Sequence, residues 1–563
     1  MAGLTGYHAE VLRTTETKEF RGRTNMLSRK LSSALQQATA GLRAAAFAVP
    51  VVILSLGPAA SADPTHTLRW GANGDVSSMD PQAYYTTMSI SLLGNVYEAL
   101  VRYNSDFKLE PALAVRWERT QPTVYRFWLR QGVHFHNGDP FSADDVIASL
   151  MRAADPNSPM QPVAQQIKNV VKVDDYTVDV ELKTSYSLLL NDLAILSIMD
   201  AKWMKEHDAL QAVDPAKGQE SYATAHENGT GPFLLKERRP DEEIILDRFP
   251  GWWDKPQHNL DRVIYRPIPY DATRVAALLS GELDLITPAP VQDVDHINSG
   301  NGTAALVGLD FRMMMLGLNQ GKDRLNDSNI TDKNPLRDIR VRKALLQAVD
   351  SKTLSARIMK GLSKPSKSIV APQIQGYDES LAEDIAPFDI EASKKLLAEA
   401  GYPQGFEIGM DCPNDEYINA EQVCQAVAAM WAKAGIKVNL KIMASSLQHA
   451  KILNGNSDVY LLGWANVPQL NAYSIVNNVL RKDGTWNGAR YSNDRINELV
   501  PMIASAPDAK TSAALTTEAL QVQKKDFALI PLQQDPLVWG KSNAIDVKQM
   551  ADSMVRAYWI NFK

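Results

Sequence analysis

A strand, helix, strand run with glycine stops constrains this chain more than any other feature. Glu391 to Ala400 has helical spacing and stops at Gly401, and Phe406 to Met410 then reads as a strand. Ala420 to Ala434 is the next helix, with Val423, Val427, Met430 and Trp431 on one stripe and Gly435 as its stop. Ile436, Val438, Leu440 and Ile442 alternate beyond it as a second strand. Two strands joined by one helix at this spacing form a crossover, which makes them parallel. The chain is therefore predicted to be α/β.

The first half carries shorter signals. Leu68 to Gly71 reads as a first strand, and Val124 to Arg130 alternates with Tyr125, Phe127 and Leu129 on one face. After Gly132 a short strand, Val133 to His136, meets the turn signal Asn137-Gly138. Ser142 is a helix N-cap, with Asp144 and Asp145 in the first turn of a helix reaching about Arg152. Val171 to Leu182 reads as two strands around Asp174-Asp175. A chain of 563 residues has room for three or four domains. Gly321 to Asn334, rich in Asn, Asp and Lys, is the expected flexible segment.

The N-terminus points to export. Ala44 to Leu56 is an uncharged run of 13 residues, short of the ~20 that a membrane-spanning helix needs. Arg29, Lys30 and Arg43 precede it, and small residues ending in Ala60-Ser61-Ala62 follow. Basic, apolar, then small is the order of a secretory signal peptide, with cleavage expected before Asp63. Residues 1–25 are polar and unlike a signal, and Met26 would begin a conventional one. The alternative is a buried core helix. The expected location is periplasmic.

Little in the sequence announces catalysis. Nucleotide-loop, zinc-protease, nucleophile-elbow and dinucleotide motifs do not occur. His134 and His136 share a strand face and are half a metal site at most; two partly exposed histidines beside a turn is the plainer reading. Asp144-Asp145 and Asp174-Asp175 sit where a cap or a turn needs Asp. A net charge of −6 gives no basic surplus for nucleic acid. No catalytic residue, metal or cofactor is expected. A secreted hydrolase built from scattered carboxylates is the remote alternative.

Only two cysteines occur, Cys412 at a strand end and Cys424 on the helix that follows. In an exported protein such a pair usually forms a disulfide, worth about 3 kcal/mol for a loop of this size. Two buried thiols are the alternative. Gly463-Trp464-Ala465-Asn466 follows an apolar strand from Asp458 to Leu462 and opens a polar stretch. A Trp at the C-terminal end of a strand stands where α/β sheets bind ligands. Its other reading is a core or lobe-interface Trp.

Several segments together resemble a family. They include SSMDP (Ser77 to Pro81), PALAVRWE (Pro111 to Glu118), the run from Tyr125 to Arg152, and GTGPF (Gly229 to Phe233). GELDLI (Gly281 to Ile286), LGLNQ (Leu316 to Gln320), IRVRKALLQAVD (Ile339 to Asp350), GWAN and IPLQQDPLVW (Ile530 to Trp539) continue the series. The chain resembles the extracytoplasmic solute-binding proteins of family 5, the peptide, nickel and related binding proteins of ABC importers. The resemblance implies a two-lobed Venus-flytrap fold with an extra domain inserted into lobe I. Lobe I would hold 63–105, 225–315 and 530–563, the insertion 106–224, and lobe II 316–529. Crossings near Asn319 and Gln533 would form the hinge.

The resemblance also implies binding positions. Tyr85 and Thr87, after Asp80-Pro81, would line the cleft from lobe I, and Gly463, Trp464, Ala465 and Asn466 from lobe II, with Asn471 beyond. Peptide-binding members often carry an Asp where this chain has Val467, and no residue from Ala465 to Ser474 is charged. An uncharged or blocked ligand end is therefore expected on that side. The implied function is capture of a peptide or similar small polar solute and delivery to ABC permease subunits, by a monomer. A sugar-containing compound or a metal chelate is the alternative ligand.

Overall fold

The computed structural model describes residues 65–83, 86–214 and 217–563. The leader, the cleavage point before Asp63 and Tyr85 lie outside them. The described chain is a two-lobed α/β protein built around one long mixed sheet of eleven strands.

One half of that sheet holds the predicted crossover. Phe406–Pro413 pairs in parallel with Ile436–Met443, and helix Ala420–Lys433 buries Val423, Val427, Met430 and Trp431 beside them. Cys412 and Cys424 are joined in a disulfide that ties this strand to this helix. Val459–Trp464 continues the half, parallel to Phe406–Pro413 and antiparallel to Thr303–Leu318. The other half begins with Thr67–Ala72, parallel to Arg262–Pro267 and Leu285–Thr287, and ends in the antiparallel strands Glu243–Arg248 and Phe233–Arg239.

Two long strands run through both halves. Thr303–Leu318 pairs antiparallel with Leu529–Ser542 along almost its whole length. The register shifts between Leu309 and Met313, opposite Pro536 and Gln534. On one side of that shift the closing strand also pairs with Leu285–Ile286; on the other, Met313–Leu318 also pairs with Val459–Trp464. The long strands thus pass from one half of the sheet to the other around Asp310–Arg312. Asn319 lies beyond the strand, where its buried amide donates to the Gly455 and Ser457 carbonyls. Gln533 pairs with Met314.

A separate antiparallel sheet orders Ala114–Gln121, Val124–Leu129, Thr177–Leu182 and Ile167–Asp174. Tyr125, Phe127 and Leu129 face its core, and helix Ala143–Ala154 adds Val146, Leu150 and Ala153. Ser142 and Asp145 form a reciprocal capping box at the start of that helix, satisfying two otherwise orphaned N–H groups. This sheet and the segment after it touch the end of helix Asp494–Ser505. The Ser187 N–H donates to the Ala504 carbonyl at 2.9 Å, Ser185 Oγ to the Ser505 carbonyl at 3.1 Å, and Arg119 to the Pro507 carbonyl at 3.0 Å.

Two local expectations need correction. Val133 to His136 is no strand: Gly132 and Gly138, both at positive φ, turn the chain on either side, leaving one bridge from His134 to Pro140. His136 is not a partly exposed turn residue either. Its side chain is buried, Nδ1 lies 2.8 Å from Glu227 and Nε2 3.0 Å from the Gly231 carbonyl. Gly321 to Asn334, expected to be flexible, is tied at several points. Asp458 accepts the N–H groups of Asn326 and Asp327 at 2.8 Å, and buried Asn334 donates to the Asn319 and Lys322 carbonyls.

Candidate functional site

The sheet crossing opens into a cavity of about 260 Å³ with walls from both lobes. Thr87 and Met88 line one wall, from the first turn of the short helix Thr87–Leu93. That turn is started by Thr86, whose Oγ1 accepts the Ser89 N–H at 3.2 Å. Trp70 and Asn73 extend the same wall from the end of the first strand. Ala465 and Val467 form the opposite wall, just past strand Val459–Trp464. Asp310 and Arg312 reach the floor from the crossing strand, and Asp552 and Ser553 close one side.

The predicted residues divide between the cavity and its supports. Thr87 and Ala465 both line it. Trp464 does not line it. Along its strand Tyr460, Leu462 and Trp464 share one face by two-residue alternation, and all three pack on the same lobe core. The Trp464 ring lies 6.3 Å from Trp486, and its Nε1 donates to Ser474 Oγ at 3.1 Å. Gly463 is on the opposite face, where a Cβ would come within 2.8 Å of the Tyr417 ring and 3.1 Å of Arg312 Cδ. Its bare backbone leaves room for the Arg312 stem. Asn466 is buried at positive φ, and its Oδ1 accepts Ser474 Oγ–H at 2.8 Å. Asn471 is buried behind the loop, bridged to Gln375. These two Asn shape the wall rather than face the cavity.

The cavity is not neutral throughout. The 465–474 loop is neutral, but the crossing strand brings Asp310 and Arg312 into the same space. Asp310 Oδ1 accepts the Arg312 N–H at 2.7 Å, and Oδ2 accepts the Ser553 hydroxyl. The Arg312 guanidinium lies 5.5 Å from the centre of the Tyr417 ring. Burial works against its charge, but Asp310, Tyr417, Asp535 and Glu416 outweigh that and shift its pKa upward. Asp535 is fully buried behind the floor, with Gln533 Nε2 donating to it at 3.3 Å. Burial pushes its carboxyl up to about 7, against the pull of Arg312. These charges had a sequence signal: Asp310 and Arg312 stand two apart in the otherwise apolar run Phe311 to Leu318 and its approach.

A second chamber of about 120 Å³ lies on the other side of helix Thr87–Leu93, lined by Glu98, Arg102, Arg556, Tyr558 and Pro468 among others. Its charges are already matched. Arg102 pairs with Glu110 and Asp254, and Arg556 with Asp552. Glu98 accepts Trp252 Nε1, Trp253 Nε1 and Thr230 Oγ1. Burial raises the Glu98 pKa, which those three donors oppose. Among the described residues no cluster of three or more His, Cys, Asp or Glu could hold a metal ion, and no helix is long and apolar enough to cross a membrane.

Comparison with known proteins places this geometry. Residues 108–487 match the family model of bacterial extracellular solute-binding proteins, family 5 Middle. Heme-binding protein A of Haemophilus influenzae is 28% identical over 481 residues, covering 78% of this chain and 81% of that protein. The glutathione-binding protein GsiB of Salmonella paratyphi A is 26% identical over 483 residues, covering 83% of this chain and 88% of its own. The structure of HbpA2 from Haemophilus parasuis superposes with a TM-score of 0.75 at 25% identity, over 88% of this chain and all of that one.

Proposed function

This chain belongs to the bacterial extracellular solute-binding proteins of family 5, and we propose that it captures a small polar solute in the cavity at the sheet crossing and hands it to an ABC permease. One observation carries this reading: the cavity takes its walls from both lobes and its floor from the strand that joins them. A solute touching Thr87 on one side and Ala465 on the other favours the closed arrangement over the open one by its contacts to both. A peptide is the leading class of solute. Relatives named for heme and for glutathione show how far the cargo varies on one scaffold. The solute leaves unchanged, and the binding protein acts as a monomer after cleavage before Asp63. The lobes divide as 63–105, 225–315 and 530–563 against 316–529, with 106–224 inserted.

Calorimetry of tetrapeptides, glutathione and heme against the mature protein tests this. Ala465→Trp fills the cavity and should weaken whichever solute binds by more than about tenfold, which is over 1.4 kcal/mol. Unchanged affinity in that variant would place the site elsewhere, and a chemically altered solute would make the protein an enzyme.

A further inference from the structure

We propose that Arg312 holds a carboxylate of the bound solute, so that cargo must carry one. The claim rests on the reading of the cavity as the solute site and adds the chemical group recognised there. Arg312 lines the cavity floor, and among the described residues no carboxylate pairs with its guanidinium. Its nearest acid on the strand is already engaged: the two oxygens of Asp310 accept the Arg312 backbone N–H and the Ser553 hydroxyl. The Tyr417 ring stands 5.5 Å from its guanidinium carbon, and Arg312 itself lines the cavity. Gly463 keeps space for its stem.

A guanidinium stays charged in any protein, and closing the cleft removes the water that solvates it. Without an anion, closure would leave its N–H donors without water or an acceptor; with one, it forms a two-pronged ion pair in a water-poor site. The nearby acids favour the guanidinium's charge through space, but among the described residues none accepts its side-chain N–H groups, and Asp535 is pushed toward its neutral form. The coupling thus favours closure only around a solute of the right charge.

The test compares tetrapeptides, glutathione and heme, each as the free acid and as its amide or methyl ester, by calorimetry on the mature protein. The solute that binds should lose at least tenfold in affinity when its carboxylates are blocked. Arg312→Gln should cost the free acid about a hundredfold and erase the difference from the blocked form, while Arg312→Lys, which keeps the charge, should restore part of it. Melting curves without solute should show both variants folded. Equal binding of acid and blocked forms, with Ala465→Trp still abolishing both, overturns the role of Arg312 and leaves the site standing. Binding untouched by Ala465→Trp overturns the site instead. Binding of none of these compounds in either form overturns both.

Discussion

Two arginines drawn out of bulk water divide the labour in this protein. Arg152, on the capped helix Ala143–Ala154, is fully enclosed and spends its donors inside the fold. It pairs with both oxygens of Asp80 and also reaches Gln82 and the Ala209 and Gln211 carbonyls. Arg312, at the crossing of the long strands, has an aromatic ring beside it and open space before it. A buried cation whose donors are all answered within the chain fixes structure. One with unanswered donors in a cleft is set to receive something. Asp80 belongs to the SSMDP segment and Arg152 closes the run from Tyr125, so two of the stretches that mark the family meet in one buried ion pair.

The comparison can be broken where the effect is largest. Arg152→Met should lower the unfolding free energy in urea by about 3–5 kcal/mol, since it leaves the Asp80 carboxylate buried without its partner. Solute affinity of the folded fraction should stay within about threefold of the parent. A stable variant with lost binding would reverse the roles assigned to the two arginines.

The disulfide is the next step down. Replacing Cys412 and Cys424 by Ser should cost about 2–4 kcal/mol in the same measurement, with affinity nearly unchanged, because the bond lies among core residues away from the cavity.

Asp535 sharpens the comparison, because it lies between the two types. Its folded pKa is about 7, above the unfolded value near 3.9, so the folded state holds a proton that the unfolded state releases. Stability from this group is therefore present at acid pH and falls as pH rises from about 4 through about 7. Asp535→Asn should stabilise the protein by on the order of 2 kcal/mol at pH 8 and by little at pH 4, read from paired urea titrations. An equal gain at both values would show that its charge plays no part.

Smaller effects follow on the cleft walls. Trp464→Ala should cost about 2 kcal/mol of stability through lost packing beside Tyr460 and Leu462, while affinity changes by less than about threefold. A large loss of affinity would return Trp464 to the cleft. Arg119→Ala removes a bond from the four-stranded sheet to the Pro507 carbonyl. It should shift stability by less than about 1 kcal/mol and speed solute release by a few-fold in stopped-flow traces.

How much of this was legible in the sequence depends on how local each feature is. The crossover at 406–443 was, because glycine stops and helical stripes are set within a few residues. So was the capping box at Ser142. The pairing of Cys412 with Cys424 needed only the export signal and a short separation. The floor of the site was not legible. Asp310 and Arg312 meet Ala465 only through the pairing of Thr303–Leu318 with Val459–Trp464, strands that lie far apart in the chain. Trp464 was read as a cleft residue with a core position as the alternative, and it packs on the lobe core. Two-residue alternation from Tyr460 through Leu462 already directs it into the core. The neutral 465–474 loop was readable from its own residues, while the charge in the cavity comes from a distant strand.

The crystal structure of the protein purified with its natural solute tests the account most directly. Density for that solute should lie between Thr87 and Ala465, with an anionic oxygen about 3 Å from the Arg312 guanidinium. Density in the chamber beside Glu98 and Arg102 instead, with the space before Arg312 filled by water alone, would contradict it.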